Sequence, residues 1–379
     1  MSNWSLAQSI KVNLEDFWRA AAAAGLKKEE LLSVPDSESS FSGLRLEQLK
    51  KYVRESGVSL RELICYNRYA DLLMPEDCTV YFAAGNASKS GMTVFGKNSD
   101  KSGNRAFDSD VYYKNRQISV VAYYNNPDGS HIVGVAAAGS TGLKMGLNSY
   151  GVAVGTNYGQ TKAAEKKALD PLQKLAGDRA QIARDALTEK TALDAARKAV
   201  AHVMEHPMAS SGTLEFADAK EVYIVESAYD YVAIKRVRDA VDSRANFFNI
   251  LPQLNREGNI SSFCRYYRSQ ELLKAAEGSV TAETLKAISM DHENGPGGNS
   301  ICRHSHTLDS ATLAAAVMEL DADHPEKSMI HIALGTPCTA WTSPEGHISI
   351  SMDMPEEEIP IGFRNGDVFR IFCLNDPLE

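Results

Sequence analysis

Cys78 heads the run Asp77-Cys78-Thr79-Val80-Tyr81-Phe82, whose β-branched and aromatic residues predict a strand. Directly before it a helical segment is closed by Pro75. A second strand-like run, from Gly91 to Asp100, follows a short turn and ends in the polar cluster Lys97-Asn98-Ser99-Asp100. A cysteine needs a base and a donor to the developing oxyanion before it can carry acyl groups. A backbone cut before Cys78 would supply the base. The freed α-amine titrates at about 7.7–8.0 and can accept the thiol proton of its own residue, so no histidine is required. The expectation is that Cys78 becomes the N-terminus of a processed chain and acts there as nucleophile.

The rest of the chain has to position that thiol. At 379 residues with 44% hydrophobic side chains it can bury a large core. A net charge of −9 and no basic block argue against nucleic acid as a partner. The start Met1-Ser2-Asn3-Trp4-Ser5-Leu6 lacks the basic and apolar regions of a secretory signal, and no run is long enough to cross a bilayer. These features predict a soluble, cytoplasmic protein without a membrane partner. Six cysteines at 65, 78, 264, 302, 338 and 373, without tight spacing, fit reduced thiols rather than a disulfide framework.

Residues 1–77 read as helical. Asn13 is placed as the cap of a helix from Leu14 that Gly25 stops, Leu44 to Val53 shows helical spacing, and Ser59-Leu60-Arg61-Glu62 is a capping box. From Cys78 the texture changes to short strands at Cys78 to Ala84, Thr93 to Lys97, Ile118 to Tyr124, Ile132 to Ala138 and Gly151 to Asn157. A helical stretch spans about 163–206. Strands return at Leu214 to Ala217, Val222 to Glu226 and Tyr231 to Arg236, and helices at Ser262 to Ala276 and Thr281 to Met290. The C-terminal part predicts strands at Thr312 to Leu320, Met329 to Leu334, Ile348 to Met352 and Val368 to Cys373. Blocks of strands alternating with blocks of helices favour an α+β fold.

Taken in order, Cys78-Thr79, Gly96-Lys97-Asn98-Ser99-Asp100 and the stretch Gly146 to Asn157 resemble cysteine N-terminal nucleophile hydrolases. The blocks Ser261 to Arg268, Ser300-Ile301-Cys302-Arg303-His304 and Leu334-Gly335-Thr336-Pro337-Cys338 extend the similarity. Within that superfamily the chain is similar to the self-processing acyl-coenzyme A:6-aminopenicillanic acid acyltransferase family. The resemblance implies a four-layer αββα sandwich of two antiparallel sheets flanked by helices. It also implies an N-to-S acyl shift that cuts Asp77–Cys78, leaving a helical pro-segment, 1–77, associated with a catalytic domain, 78–379. That family usually has glycine before the cysteine, where this chain has Asp77.

The same resemblance assigns roles. Cys78 would be the nucleophile, Asp100 the carboxylate holding amine and thiol, and Lys97 a supporting charge. Asn157 would donate to the oxyanion, and Arg265 would be the active-site arginine, with Arg268 as its alternative. Thr213, standing where a second asparagine is expected, and Asn98 are candidate substrate-binding residues. The expected activity is amide hydrolysis or N-acyl transfer on a small-molecule acyl amide or thioester, through an acyl-Cys78 intermediate. A dipeptidase-like peptidase and a non-catalytic binding protein on the same fold are the alternatives. A homo-oligomer is compatible with either.

One other constellation has chemistry-bearing types. His292, Cys302, His304, His306 and Cys338 would suit zinc, yet they contain no CxxC or HxxxH pair. Residues 302, 304 and 306 share a face only if extended. The sequence reading is therefore ordinary loop histidines, with no metal and no cofactor. Gly295-Pro296-Gly297-Gly298 lacks the lysine of a phosphate-binding loop and reads as a turn.

Overall fold

The computed structural model describes residues 5–33, 43–74, 76–101, 104–105, 112–113, 118–161, 178–206, 208, 210–229, 231–295, 297–304, 311–355, 358 and 368–370. Pro75, Pro296, His306, Cys373 and the expected helical residues 163–177 lie outside them.

Four helices open the chain: α1 (Leu6–Ala23), α2 (Lys28–Ser33), α3 (Leu44–Ser56) and α4 (Leu60–Leu73). Ser59 caps α4 as expected, its hydroxyl accepting from Glu62 N at 3.2 Å while Glu62 Oε2 accepts from Ser59 N at 3.1 Å. Asn13 is not a cap. Ser5 caps α1, and Asn13 lies buried in mid-helix, accepting from Ile118 N at 2.7 Å and donating to the carbonyls of Ile118 and Ala138. Its amide thus bonds the Ile118 N–H and the Ala138 carbonyl at a sheet end and adds a second donor to the Ile118 carbonyl, which already accepts from Ala138 N at 2.9 Å.

The strands that follow are β1 (Asp77–Ala83), β2 (Val94–Lys101), β3 (Asn104–Arg105), β4 (Tyr112–Tyr113), β5 (Ser119–Asn125), β6 (His131–Ala137), β7 (Met145–Asn148) and β8 (Ala153–Tyr158). Helices α5 (Arg179–Ala186) and α6 (Ala192–Glu205) precede β9 (Gly212–Ala217), β10 (Glu221–Ala228), β11 (Tyr231–Arg238) and β12 (Val241–Arg244). The chain continues through α7 (Ile260–Ala275), α8 (Ala282–Ser289), β13 (Ala311–Glu319), β14 (Met329–Ala333), α9 (Pro337–Ala340), β15 (His347–Ser351) and β16 (Val368–Arg370).

One sheet has the order β12-β1-β2-β13-β14-β15 and the other β11-β10-β9-β8-β7-β6-β5-β16, with antiparallel pairing throughout both. Alternation along the strands sorts their side chains into layers. Val80, Phe82, Phe95, Val121, Val133, Ala153 and Ile332 meet between the sheets. Val120, Ala122, Val154 and Phe216 face α1, α3, α4, α5 and α6. Tyr81, Ala83, Val94 and Val317 face α7 and α8. The result is a helix–sheet–sheet–helix sandwich, the fold class expected. Gly155 lets the sheets close: a Cβ there would lie 3.0 Å from both Phe95 and Val80.

Candidate active site

The β1–β2 register decides which side chains can meet. Cys78 lies opposite Ser99, Val80 opposite Lys97 and Phe82 opposite Phe95, and all of these point between the sheets. The alternate pairs, Asp77 with Asp100 and Thr79 with Asn98, point to the α7–α8 layer. Asn98 is accordingly not placed to bind substrate beside Cys78. Its Oδ1 accepts from Tyr81 Oη at 2.8 Å, and its Nδ2 donates to the Ser289 and Ile301 carbonyls at 3.0 and 2.9 Å.

Cys78 is fully buried, and burial pushes its thiol up, with Lys97 opposing. Two side chains hold its backbone. Arg265, also fully buried, donates through Nη1 to Cys78 O at 2.6 Å and to Thr79 Oγ1 at 2.8 Å. Asn246 Oδ1 accepts from Cys78 N at 3.2 Å and from Arg265 Nη2 at 2.6 Å, while its Nδ2 donates to the Glu76 carbonyl at 3.2 Å. The Asp77–Cys78 peptide is therefore gripped on both sides. Burial and the nearby Arg303 lower the Arg265 guanidinium to about 10, which leaves it charged at neutral pH. Arg268 is elsewhere, paired with Asp291 at 2.9 Å and with Glu271.

Asp77 and Asp100 stand directly opposite one another, an arrangement that like charges disfavour. Arg303 resolves it. Its Nη1 lies 2.9 Å from Asp77 Oδ2 and its Nε 3.5 Å from Asp100 Oδ2, while Thr312 Oγ1 donates to Asp100 Oδ1 at 2.7 Å. Burial raises the Asp100 carboxyl against the pull of Arg303; at Asp77 burial acts the same way, but Arg303 and Arg265 outweigh it and hold that carboxyl low.

On the thiol side, Lys97 Nζ donates to Lys144 O at 2.8 Å and lies 3.5 Å from Thr156 Oγ1. Glu76 Oε2 lies 3.9 Å from Cys78 Sγ. Its Oε1 pairs with Lys101 at 3.0 Å and Lys144 at 2.9 Å. Burial alone would raise Glu76, but these lysines outweigh it and keep the carboxylate ionised. Asp71 of α4 pairs in the same way with Arg179 of α5. The residues before Cys78 thus place two carboxylates into a pocket also lined by Lys101, Lys144, Thr156 and Arg179.

Asn157 faces the inter-sheet layer from β8, and neither its Nδ2 nor its Oδ1 has a hydrogen-bond partner although both are buried. A buried amide normally finds partners, so an unpartnered one calls for an explanation. Thr213 lies opposite Asn157, its hydroxyl donating to Glu215. Burial raises the Glu215 carboxyl to about 7 against the Thr213 bond and Arg244. Sequence reasoning missed Asn246, Arg303, Glu76 and Glu215. Arg303 lay inside a matched block, but the others carried no motif.

The reading of scattered loop histidines is also corrected. His292, Cys302, His304 and Cys338 converge, with their ligand-type atoms all within 4.8 Å of one another.

A family model described as acyl-coenzyme A:6-aminopenicillanic acid acyl-transferase matches residues 87–328. The match includes Lys97, Asp100, Asn157, Thr213, Asn246, Arg265 and Arg303 and begins beyond Cys78. Among solved structures, a Caenorhabditis elegans N-acylethanolamine-hydrolyzing acid amidase ortholog is similar at 15% identity and TM-score 0.45, over 66% of this chain and 98% of that one. Penicillin V acylase from Agrobacterium tumefaciens matches at 13% identity and TM-score 0.41, over 68% and 82%. A conjugated bile acid hydrolase variant from Clostridium perfringens matches at 11% identity and TM-score 0.40, over 79% and 97%.

Proposed function

The chain belongs to the acyl-coenzyme A:6-aminopenicillanic acid acyl-transferase family, and from that premise we propose that it is a self-processing cysteine amidohydrolase or acyltransferase whose nucleophile is Cys78. The observation that carries the reading is the grip of Asn246 and Arg265 on the backbone around the Asp77–Cys78 bond.

In the first reaction the Cys78 sulfur attacks the Asp77 carbonyl carbon. Glu76 lies 3.9 Å from Sγ, but its lysines hold it too acidic to be an effective base, and the thiol proton ends on the departing Cys78 nitrogen. The C–N bond breaks, the amine takes a proton, and a thioester joins Asp77 to Cys78. Water then cleaves the thioester, giving residues 1–77 with a new carboxylate and 78–379 with a free Cys78 amine. Asp77, in the position where the family usually has glycine, has a built partner in Arg303.

In the second reaction the freed amine is the base. Cys78 attacks the acyl carbonyl of a substrate, Asn157 Nδ2 donates to the oxyanion, and the leaving group takes the proton. Lys97 supports the thiolate by its charge, and Asp100 with Arg303 fixes the neighbourhood of the amine. Water or an amine then takes the acyl group.

Once the pro-segment moves, Lys101, Lys144 and Arg179 lose the carboxylates of Glu76 and Asp71. That favours an acyl amide or thioester bearing an anionic group, and it keeps a dipeptidase-like reading in view, since a peptide carboxylate would fit the same cations.

Intact mass of the purified protein tests the assignment. Two chains divided between Asp77 and Cys78 are expected, with Cys78→Ala remaining a single chain. Trapping an acyl group on Cys78 from a panel of N-acyl amides and thioesters then identifies the substrate class. Cleavage persisting in Cys78→Ala would overturn the mechanism.

A further inference from the structure

Cys302, His304, His292 and Cys338 come from separate places in the chain, and the backbone gathers them. His292 follows α8, Cys302 and His304 precede β13, and Cys338 sits in α9. Asn98 bonds the carbonyls of Ser289 and Ile301, and Cys302 N bonds Asp291 O at 3.1 Å, which brings the His292 and Cys302 segments together. Trp341 Nε1 donates to Ser289 Oγ at 2.8 Å and draws in the segment that carries Cys338.

The atoms at the centre cannot satisfy one another. His304 Nε2 lies 3.1 Å from His292 Nε2, 3.2 Å from Cys338 Sγ and 3.8 Å from Cys302 Sγ. One ring nitrogen carries at most one proton, so it cannot serve three such neighbours. A cation can. Zinc bound to nitrogen at about 2.0–2.1 Å and to sulfur at about 2.3 Å has tetrahedron edges of about 3.3–3.8 Å, close to these separations. Two thiolates would neutralise its charge, which suits a site where Cys302 is buried.

We propose that His292, Cys302, His304 and Cys338 form a structural zinc site. Four protein ligands close the coordination sphere and leave no position for substrate, so the metal acts as a clamp. Sulfur and imidazole donors select zinc over magnesium or calcium. The clamp reaches the candidate active site through Arg303, which lies between two of the ligands and pairs with Asp77 and Asp100. The metal is thus a positioning device for that guanidinium, distinct from the chemistry at Cys78.

Untagged full-length protein tests this. Elemental analysis is expected to find stoichiometric zinc that survives dialysis and is released by a thiol-modifying mercurial. Protein produced with cobalt is expected to show the thiolate charge-transfer and visible bands of a tetrahedral site. Cys338→Ser and His292→Ala should lose the metal, whereas Cys264→Ser should keep it. If those variants fail to fold, the metal content and cobalt spectrum of the unaltered chain decide. Substoichiometric metal with no thiolate band, or a Cys302–Cys338 disulfide found by mass under non-reducing conditions, would overturn the proposal. Failure of Cys78 to be acylated would leave the metal result unaffected, so the two readings fail separately.

Discussion

Asn246 spans the Asp77–Cys78 bond: its Oδ1 accepts from Cys78 N at 3.2 Å and its Nδ2 donates to the Glu76 carbonyl, also at 3.2 Å. The nitrogen it holds is the one that would leave in the proposed cleavage. Arg265 donates to the same oxygen at 2.6 Å, so replacing Asn246 also strips a buried guanidinium of a partner. Hydrogen bonds to charged groups contribute about 1.5–3 kcal/mol, and about 1.4 kcal/mol is tenfold in rate. Asn246→Ala is therefore expected to slow conversion of the precursor by about 10- to 100-fold. A time course of intact mass after synthesis measures it, and conversion at the unaltered rate would contradict the clamp.

Glu76 gives a pH dependence with a definite sign. Burial raises its pKa, but Lys101, Lys144 and Lys97 outweigh burial and bring it below its ordinary 4.5. A carboxyl lowered in the folded state contributes stability above its unfolded value, and that contribution is lost as pH falls through the folded value. The Cys78→Ala single chain should thus show a urea midpoint that declines below about pH 4.5. Adding Glu76→Gln leaves the two lysines without their buried partner, at a cost of about 3–5 kcal/mol at neutral pH. The double variant should have a lower midpoint and a flatter acid limb; parallel limbs would show that Glu76 is not the titrating group.

Local rules read some of this molecule well and were blind elsewhere for identifiable reasons. Ser59 and Glu62 form their box because the interaction closes within one turn. Asn13 has the composition of a cap, but its bonds go to Ile118 and Ala138, more than a hundred residues away, where no local rule reaches. The strand start at Cys78 was legible within one residue, since β1 opens at Asp77. Asn98 was misplaced because alternation turns it to the opposite side of β2 from Lys97. Asn246 carries no motif, and its meaning comes only from β12 lying against β1. His292, Cys302, His304 and Cys338 were singled out by residue type, but spacing rules look for pairs within one segment, so their convergence from separate parts of the chain was not legible.

Asn157 separates catalysis from stability. Both of its amide atoms are buried without hydrogen-bond partners, so its removal breaks no bond in the folded chain. Losing an oxyanion donor costs about 10²–10³ in kcat. Asn157→Ala should therefore lose acyl transfer to that extent while its thermal midpoint stays the same or rises, because an unsatisfied buried polar group has been removed. Steady-state kinetics beside calorimetry distinguishes this from a structural role, in which both quantities would fall together.

Arg303 is the shared counter-ion of Asp77 and Asp100, which face each other across β1 and β2. A lysine offers one compact charge instead of a planar fork, so it can meet one of the two carboxylates and leaves the other buried against a like charge. Arg303→Lys is expected to destabilise the Cys78→Ala single chain by about 3–5 kcal/mol, the cost of breaking a buried pair. Adding Asp77→Gly removes one of the opposed carboxylates and should recover most of that loss, since a single ammonium then suffices for Asp100. Urea midpoints of these three chains and of Cys78→Ala carrying Asp77→Gly alone measure the coupling. Equal loss with and without Asp77 would mean that Arg303 acts through Ser261 or the loop that carries it, and not through the opposed pair.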